Sequence, residues 1–231
     1  RLEEAIGQLF VGPRESGGNT VFVLVDGQAP GCASRLLEVL QLHSHVRANY
    51  LGGGAGYSNL AKRSCLFTER EVLPSRAGLA LRLDRPTAVH AEHGWSRLAG
   101  PFFVSRSDDT LVHELDWRPA IDVYEEALRN VVDGPIRGAR FADIARLYPL
   151  AVLKLKDSLV VRDPVALTAD GGLLTHGNVP QHSVVVIVRS EPESLLGAAE
   201  TAARVARRHA DRLGHDLPQA HSAFVADCVS R

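Results

Sequence analysis

Thr20-Val21-Phe22-Val23-Leu24-Val25 runs straight into Asp26-Gly27-Gln28-Ala29-Pro30-Gly31, and the fold is read outward from that junction. The continuous β-branched and aromatic run predicts a strand buried on both faces. The glycine- and proline-rich segment after it predicts a loop. An amphipathic helix is expected next, with Leu36, Leu37, Leu40 and His43 on one face. The glycine cluster Leu51-Gly52-Gly53-Gly54-Ala55-Gly56-Tyr57 is expected to be irregular.

Beyond the cluster the pattern turns β-rich. Gly78–Leu83, Thr87–Ala91, Pro101–Ser105 and Leu111–Leu115 read as short strands between turn residues. Pro119 suits the first turn of a helix, whose apolar stripe is Ile121, Tyr124, Leu128, Val131 and Val132. Gly134-Pro135 breaks the chain near its middle. After it come a short helix at Phe141–Tyr148, with Phe141, Ile144 and Leu147 on one side, and strands at Pro149–Leu153, Leu159–Val165, Gly172–Thr175 and Ser183–Arg189. A long helix opens at Pro192 and reaches Leu213 on a stripe of Leu195, Ala199, Ala202, Ala206, Ala210 and Leu213. A last strand is expected at Ala223–Ala226. The class is therefore α/β (α+β), with two subdomains, 1–135 and 136–231, each a mixed β-sheet packed with helices.

Charge excludes some functions. Lys and Arg total 26 against 27 Asp and Glu, a formal net charge of −1. Nucleic-acid binding draws its affinity from a basic excess, so no nucleic-acid partner is expected. The longest apolar runs, Val21–Val25 and Val184–Val188, fall far short of the roughly 20 residues a membrane-spanning helix needs. No membrane association is expected. Cys32, Cys65 and Cys228 are odd in number and widely spaced, which fits neither a disulfide framework nor a zinc set. A reducing, cytoplasmic setting follows.

Several residues invite chemistry. The backbone of Gly53, Gly54, Ala55 and Gly56 can approach a ligand closely and present N–H groups to an anion, or the cluster can be a tight turn. It has neither the strand–helix setting of a dinucleotide fingerprint nor the Lys-Ser/Thr of a phosphate loop. Arg162-Asp163-Pro164 interrupts a strand with opposite charges. It reads either as a structural ion pair at a bend or as an arginine fork aimed at a carboxylate or phosphate. Cys228 has Asp227 before it and Arg231 three residues on, a cation that would favour a thiolate; most free cysteines are simply buried. The spacings of His43 with His45 and of His90 with His93 do not match a metal motif. A single axial histidine to haem has no spacing signature at all. No nucleophile–base arrangement is recognisable; no metal site is expected, and no enzymatic activity, with chemistry at the Cys228 thiolate as the alternative.

The order of several motifs resembles one family. Val21–Gly27, Gly52–Tyr57, His93-Gly94-Trp95 and Val112–Tyr124 resemble the N-terminal region of the FIST sensory domain. Tyr148-Pro149-Leu150, Val160–Pro164, Gly171–Leu174, Gly177-Asn178-Val179-Pro180 and Asp227–Arg231 resemble its C-terminal region. The resemblance covers residues 20–231, and the chain reads as shortened at both ends relative to the family. It implies a sensory module that binds a small polar ligand such as an amino acid and signals to a histidine kinase or cyclase. Some relatives are similar to haem-binding nitric-oxide sensors, so a haem cofactor held by His90 or His93 is the alternative. The expected ligand site lies between the two halves, with the N–H groups of Gly53–Gly56 and the guanidinium of Arg162 on a carboxylate, and Cys228 and Arg231 lining it.

Overall fold

The computed structural model describes residues 20–29, 31–43, 48–57, 63–83, 87–213 and 223–226. The described residues divide into two compact units: those up to His93 together with those from Gly197 to 226, and Gly94–Leu196.

The first unit is built on β1 (Thr20–Asp26), the centre of a three-stranded sheet. β2 (Asn49–Ala55) pairs with it in parallel from Thr20↔Asn49 to Asp26↔Ala55, and β3 (Gly78–Leu83) pairs antiparallel on its other side. Parallel neighbours need a crossover, and α1 (Cys32–His43) supplies it. Val21, Val23 and Val25 pack on Leu36, Val39 and Leu40, with Leu37 half-buried beside them; the side chain of His43 lies outside the described residues. Alternation places Phe22 and Leu24 on the opposite face, where both are half-buried. Phe22 meets the ring of Phe224 edge-on at 4.8 Å. The strand is thus fully covered on one face only, short of the two-faced burial its composition predicts.

The glycine cluster is not irregular: most of it is strand β2. The reason is close packing. Gly52 has φ +149°, and a Cβ there would stand 1.7 Å from the Val23 carbonyl oxygen. A Cβ on Gly54 would stand 2.9 Å from Cα of Gly27. Glycine lets two backbones approach where any side chain would force them apart. Two other expected strands are absent: the described residues 87–95 and 223–226 carry none.

The second unit is an eight-stranded antiparallel sheet. Its strands are β4 (Ser96–Asp108), β5 (Leu111–Leu115), β6 (Arg118–Pro119), β7 (Leu150–Leu153), β8 (Leu159–Arg162), β9 (Pro164–Leu167), β10 (Leu173–Thr175) and β11 (Val184–Arg189). They run in the order β8-β7-β11-β4-β5-β10-β9, with β6 on β5. β4 spans the sheet by pairing with β11 up to Phe103 and with β5 from Val104. Residues Val185 and Ile187 of β11 face the main core, while Val186 and Val188 pack on Ala151 with Trp95, Leu159 and Val161 against them.

Two short helices cover the main core. α2 (Ala120–Leu128) buries Ile121, Tyr124 and Leu128, and α3 (Phe141–Leu147) buries Phe141 and Ile144. Elements on both sides of Gly134-Pro135 share this core. The buried Tyr124 hydroxyl donates to the Tyr148 carbonyl at 2.7 Å. Pro119 is the N-cap of α2 and stands just before its first turn; Leu147 and Val131 are exposed.

The last helix, α4 (Pro192–Leu213), has no fully buried side chain among those described. Its half-buried stripe includes Leu195, Ala198, Ala202, Ala206 and Ala210, so Ala198 takes the place expected for the exposed Ala199. The side chain of Leu213 lies outside the described residues.

Candidate functional site

The strand expected at Leu159–Val165 is two strands, β8 and β9, and Asp163 is the joint between them. β8 pairs with β7, whereas β9 pairs with β10. Pro164 has no N–H to continue a ladder, and the chain changes neighbours there. β10 then ends at Thr175 and returns the chain to this joint through His176-Gly177-Asn178. The His176 N–H donates to the Asp163 carbonyl at 3.0 Å. Thr175 Oγ1 lies 2.7 Å from the Gly177 oxygen and 2.8 Å from that of Thr110. Two motifs far apart in the chain, Arg162-Asp163-Pro164 and Gly177-Asn178, therefore form one corner of the second unit.

Arg162 organises that corner. Its Nε donates to the Asn178 carbonyl at 2.8 Å and its Nη1 to the Val161 carbonyl at 2.9 Å. A Cβ on Gly177 would come within 2.8 Å of Arg162 Nε, so glycine makes room for the guanidinium against the backbone. Burial lowers the Arg162 pKa and the nearby Asp163 carboxylate raises it; an arginine stays charged under either influence. Among the described residues no ion pair joins Arg162 to Asp163. Two of the five guanidinium N–H groups are committed to carbonyls, leaving three donors in a fixed plane. In the same corner, Asp163 Oδ1 and Asn178 Oδ1 are buried with no hydrogen-bond partner among the described residues. Buried oxygens without partners are few in folded proteins and need an explanation.

A second polar cluster closes the carboxyl end of β1, where open α/β sheets commonly take ligands. Asp26 is only 4% exposed. Its carboxylate accepts from the N–H groups of Gln28 at 3.0 Å and Arg76 at 2.8 Å, and lies 3.7 Å from the Cys65 thiol. Burial, then the Asp26 charge, pushes the Cys32 and Cys65 thiols up. Both remain protonated donors and are poor nucleophiles. Here the buried carboxylate is satisfied by donors of its own chain.

A third feature is a cleft of about 560 Å³ beside α2, lined by Arg118, Asp122, Glu125, Glu126, Arg129 and Asp133 among others. Arg137 bridges Asp122 and Glu125, and Arg118 reaches Glu126 at 2.8 Å. Its charges largely neutralise one another. The unsatisfied oxygens at the Arg162 corner weigh more.

The expected site residues fall as follows. Gly53, Gly54 and Ala55 are in β2, at the sheet edge, and Gly56 follows it; a Cβ on Gly53 would meet nothing within 4 Å, and one on Gly56 would lie 2.7 Å from Gln28 Nε2. Arg162 is in the other unit. Cys228 and Arg231 lie outside the described residues. His90 and His93 sit on an irregular segment; His90 Nε2 is 2.9 Å from Glu92 Oε1, and its ring lies 6.1 Å from that of His209. Among the described residues no group of three or more metal-ligating side chains occurs, and no helix is long and apolar enough to cross a membrane. Sequence reasoning does not single out Asp163 and Asn178 as site residues. Their motifs are visible in the chain; that their two buried side-chain oxygens lack partners is not.

The comparisons with known proteins bear on the whole chain. The FIST N domain model matches residues 1–118 and the FIST C domain model residues 120–231. The match takes in the residues before Thr20, ahead of the stretch on which the resemblance rests. Neither a curated protein nor a solved structure matches the chain. With both regions matched along its length, the chain belongs to the FIST family of signalling sensory domains.

Proposed function

We propose that this FIST domain is a non-enzymatic receptor for a small polar ligand such as an amino acid, held at the Arg162 corner. The observation that carries the reading is the pairing of spare guanidinium donors with two buried, unpartnered oxygens, Asp163 Oδ1 and Asn178 Oδ1. A carboxylate would take the free N–H groups of Arg162 in a fork. An ammonium would give its protons to Asp163 and Asn178, removing the cost of two unsatisfied buried acceptors. An α-amino acid carries both groups on one carbon. The signal would pass to a partner such as a histidine kinase or cyclase, in the reducing cytoplasm that the free thiols of Cys32 and Cys65 suit.

Thermal melting against a panel of the common amino acids tests the reading. A ligand at 100 times its dissociation constant adds about 2.7 kcal/mol to the folded state, and the matching amino acid is expected to raise the melting temperature accordingly. Arg162→Ala is expected to remove that rise, and Asn178→Ala to reduce it. A shift of unchanged size in both variants would remove this corner from the ligand site.

A further inference from the structure

β5 and β6 form a hairpin in which Leu115 pairs with Arg118, leaving Asp116-Trp117 as a two-residue turn. Both turn residues have positive φ, 49° and 60°, which makes this a type I′ turn. Such turns favour Asn-Gly or Asp-Gly. Asp116 conforms; Trp117 stands where glycine belongs. A bulky residue in the left-handed region is a true outlier, and strain of this kind persists where the surroundings over-determine it.

The surroundings do so here. The Asp116 N–H donates to the Phe103 carbonyl at 2.9 Å, the Phe103 N–H returns a bond to Asp116 Oδ1 at 2.8 Å, and the Trp117 N–H donates to Ser105 Oγ at 2.9 Å. The indole then stacks on Phe103, centroids 5.4 Å apart, and Phe103 in turn stacks on His182 at 6.0 Å. His182 also has positive φ, 64°. Despite this rigid support Trp117 is 74% exposed. The fold holds a large aromatic ring out to solvent at a conformational cost, and the ring does nothing for the core.

The charges beside it say what it fits. Arg106 is paired with Glu114 and Arg118 with Glu126. Among the described residues Asp116 has no cation, so the one uncompensated charge at the tip is a carboxylate next to an electron-rich ring face. An arginine answers both, stacking its guanidinium on the indole and forking onto the carboxylate. We propose that this hairpin tip is a docking point for an arginine side chain of a protein partner, with Trp117 as the anchor. Pre-organisation favours this use, because the anchor loses little freedom when it is covered, and tryptophan is among the residues that dominate interface energetics. The surface is independent of the Arg162 corner and stands or falls without it.

Proton–nitrogen NMR of the full chain tests the proposal through the indole N–H signals of its 2 tryptophans, Trp95 serving as internal reference. The probe is the blocked tripeptide acetyl-Gly-Arg-Gly-amide, whose only charge is the guanidinium, compared with its neutral citrulline counterpart. The Trp117 signal is expected to move and saturate with the arginine peptide and to stay in place with citrulline. Asp116→Asn, which keeps the acceptor for the Phe103 N–H, is expected to weaken binding about threefold, as loss of one exposed charge pair would. Trp117→Gly is expected to keep the spectrum folded and the melting temperature at or near its starting value, because glycine suits the turn. No movement at tens of millimolar peptide, or equal movement with citrulline, overturns the proposal. So does a Trp117→Gly chain that loses its dispersed spectrum, since the ring would then be a structural prop.

Discussion

Val21–Val25 and Val184–Val188 look alike in the sequence, two apolar runs with no polar break, yet the fold uses them differently. β11 is covered on both faces, Val185 and Ile187 by the main core and Val186 and Val188 by the layer around Ala151. β1 is covered on one face by α1 and only half-covered on the other, with Phe224 as part of the cover. Composition marks both as central strands; how much lies over each face depends on what packs there. The parallel neighbour of β1 adds a second contrast. β2 is a glycine-rich edge strand beside a carboxylate satisfied within the chain, whereas the glycine-bearing turn at His176-Gly177-Asn178 borders oxygens that are not.

Four predictions sharpen these contrasts, from the largest effect to the smallest. Gly52→Ala drives a Cβ to 1.7 Å from the Val23 carbonyl oxygen, which must break the β1–β2 register; denaturant unfolding is expected to show a loss on the order of 4 kcal/mol. Truncating the two runs separates their burial directly. Ile187→Ala is expected to cost about 2–5 kcal/mol and Leu24→Ala roughly half as much, in the range of partly buried sites. Equal costs would erase the difference between the strands. The glycines form the third comparison. Gly53→Ala has open space and is expected to change stability by under about 0.5 kcal/mol. Gly177→Ala should displace the Arg162 side chain, with a cost of about 1 kcal/mol and loss of the amino-acid response.

The smallest effect is electrostatic. The hydrogen bond from Thr168, at 2.6 Å, is the leading cause holding the Asp170 carboxyl below its ordinary value of 3.8. A depressed folded-state pKa contributes stability that is present above the ordinary value and lost as pH falls through the folded one. The melting temperature of the native chain should therefore fall below about pH 4. Thr168→Val should make that acid limb shallower, and carbon NMR of the Asp170 carboxyl should show its titration moving upward. An unchanged titration would take Thr168 out of the account.

The periodic elements are legible without coordinates. Leu111–Leu115, the helix at Phe141, β11 and the helix from Pro192 to Leu213 all follow from apolar spacing. Glycine misleads at β2, because a strand whose Gly52 and Gly54 tolerate no Cβ looks like a loop when its neighbours are unseen. Thr87–Ala91 and Ala223–Ala226 have strand-like composition without the partners that make strands. At the candidate site, Arg162 is legible as a charge inside a strand pattern. Its commitment to the Asn178 and Val161 carbonyls is not, since that depends on β9 and β10 bringing Gly177 back to the joint at Asp163. Trp117 is inconspicuous in the sequence for a similar reason: only the pairing of Leu115 with Arg118 shows that it occupies a glycine position.

The most direct test of the central claim is an amide chemical-shift map of the chain with the amino acid selected by the melting panel. The signals of Val161, Arg162, Asp163, His176, Gly177 and Asn178 are expected to move together and saturate on one curve. Movement confined to Gly53, Gly54, Ala55 and Gly56, with the Arg162 corner silent, would contradict it.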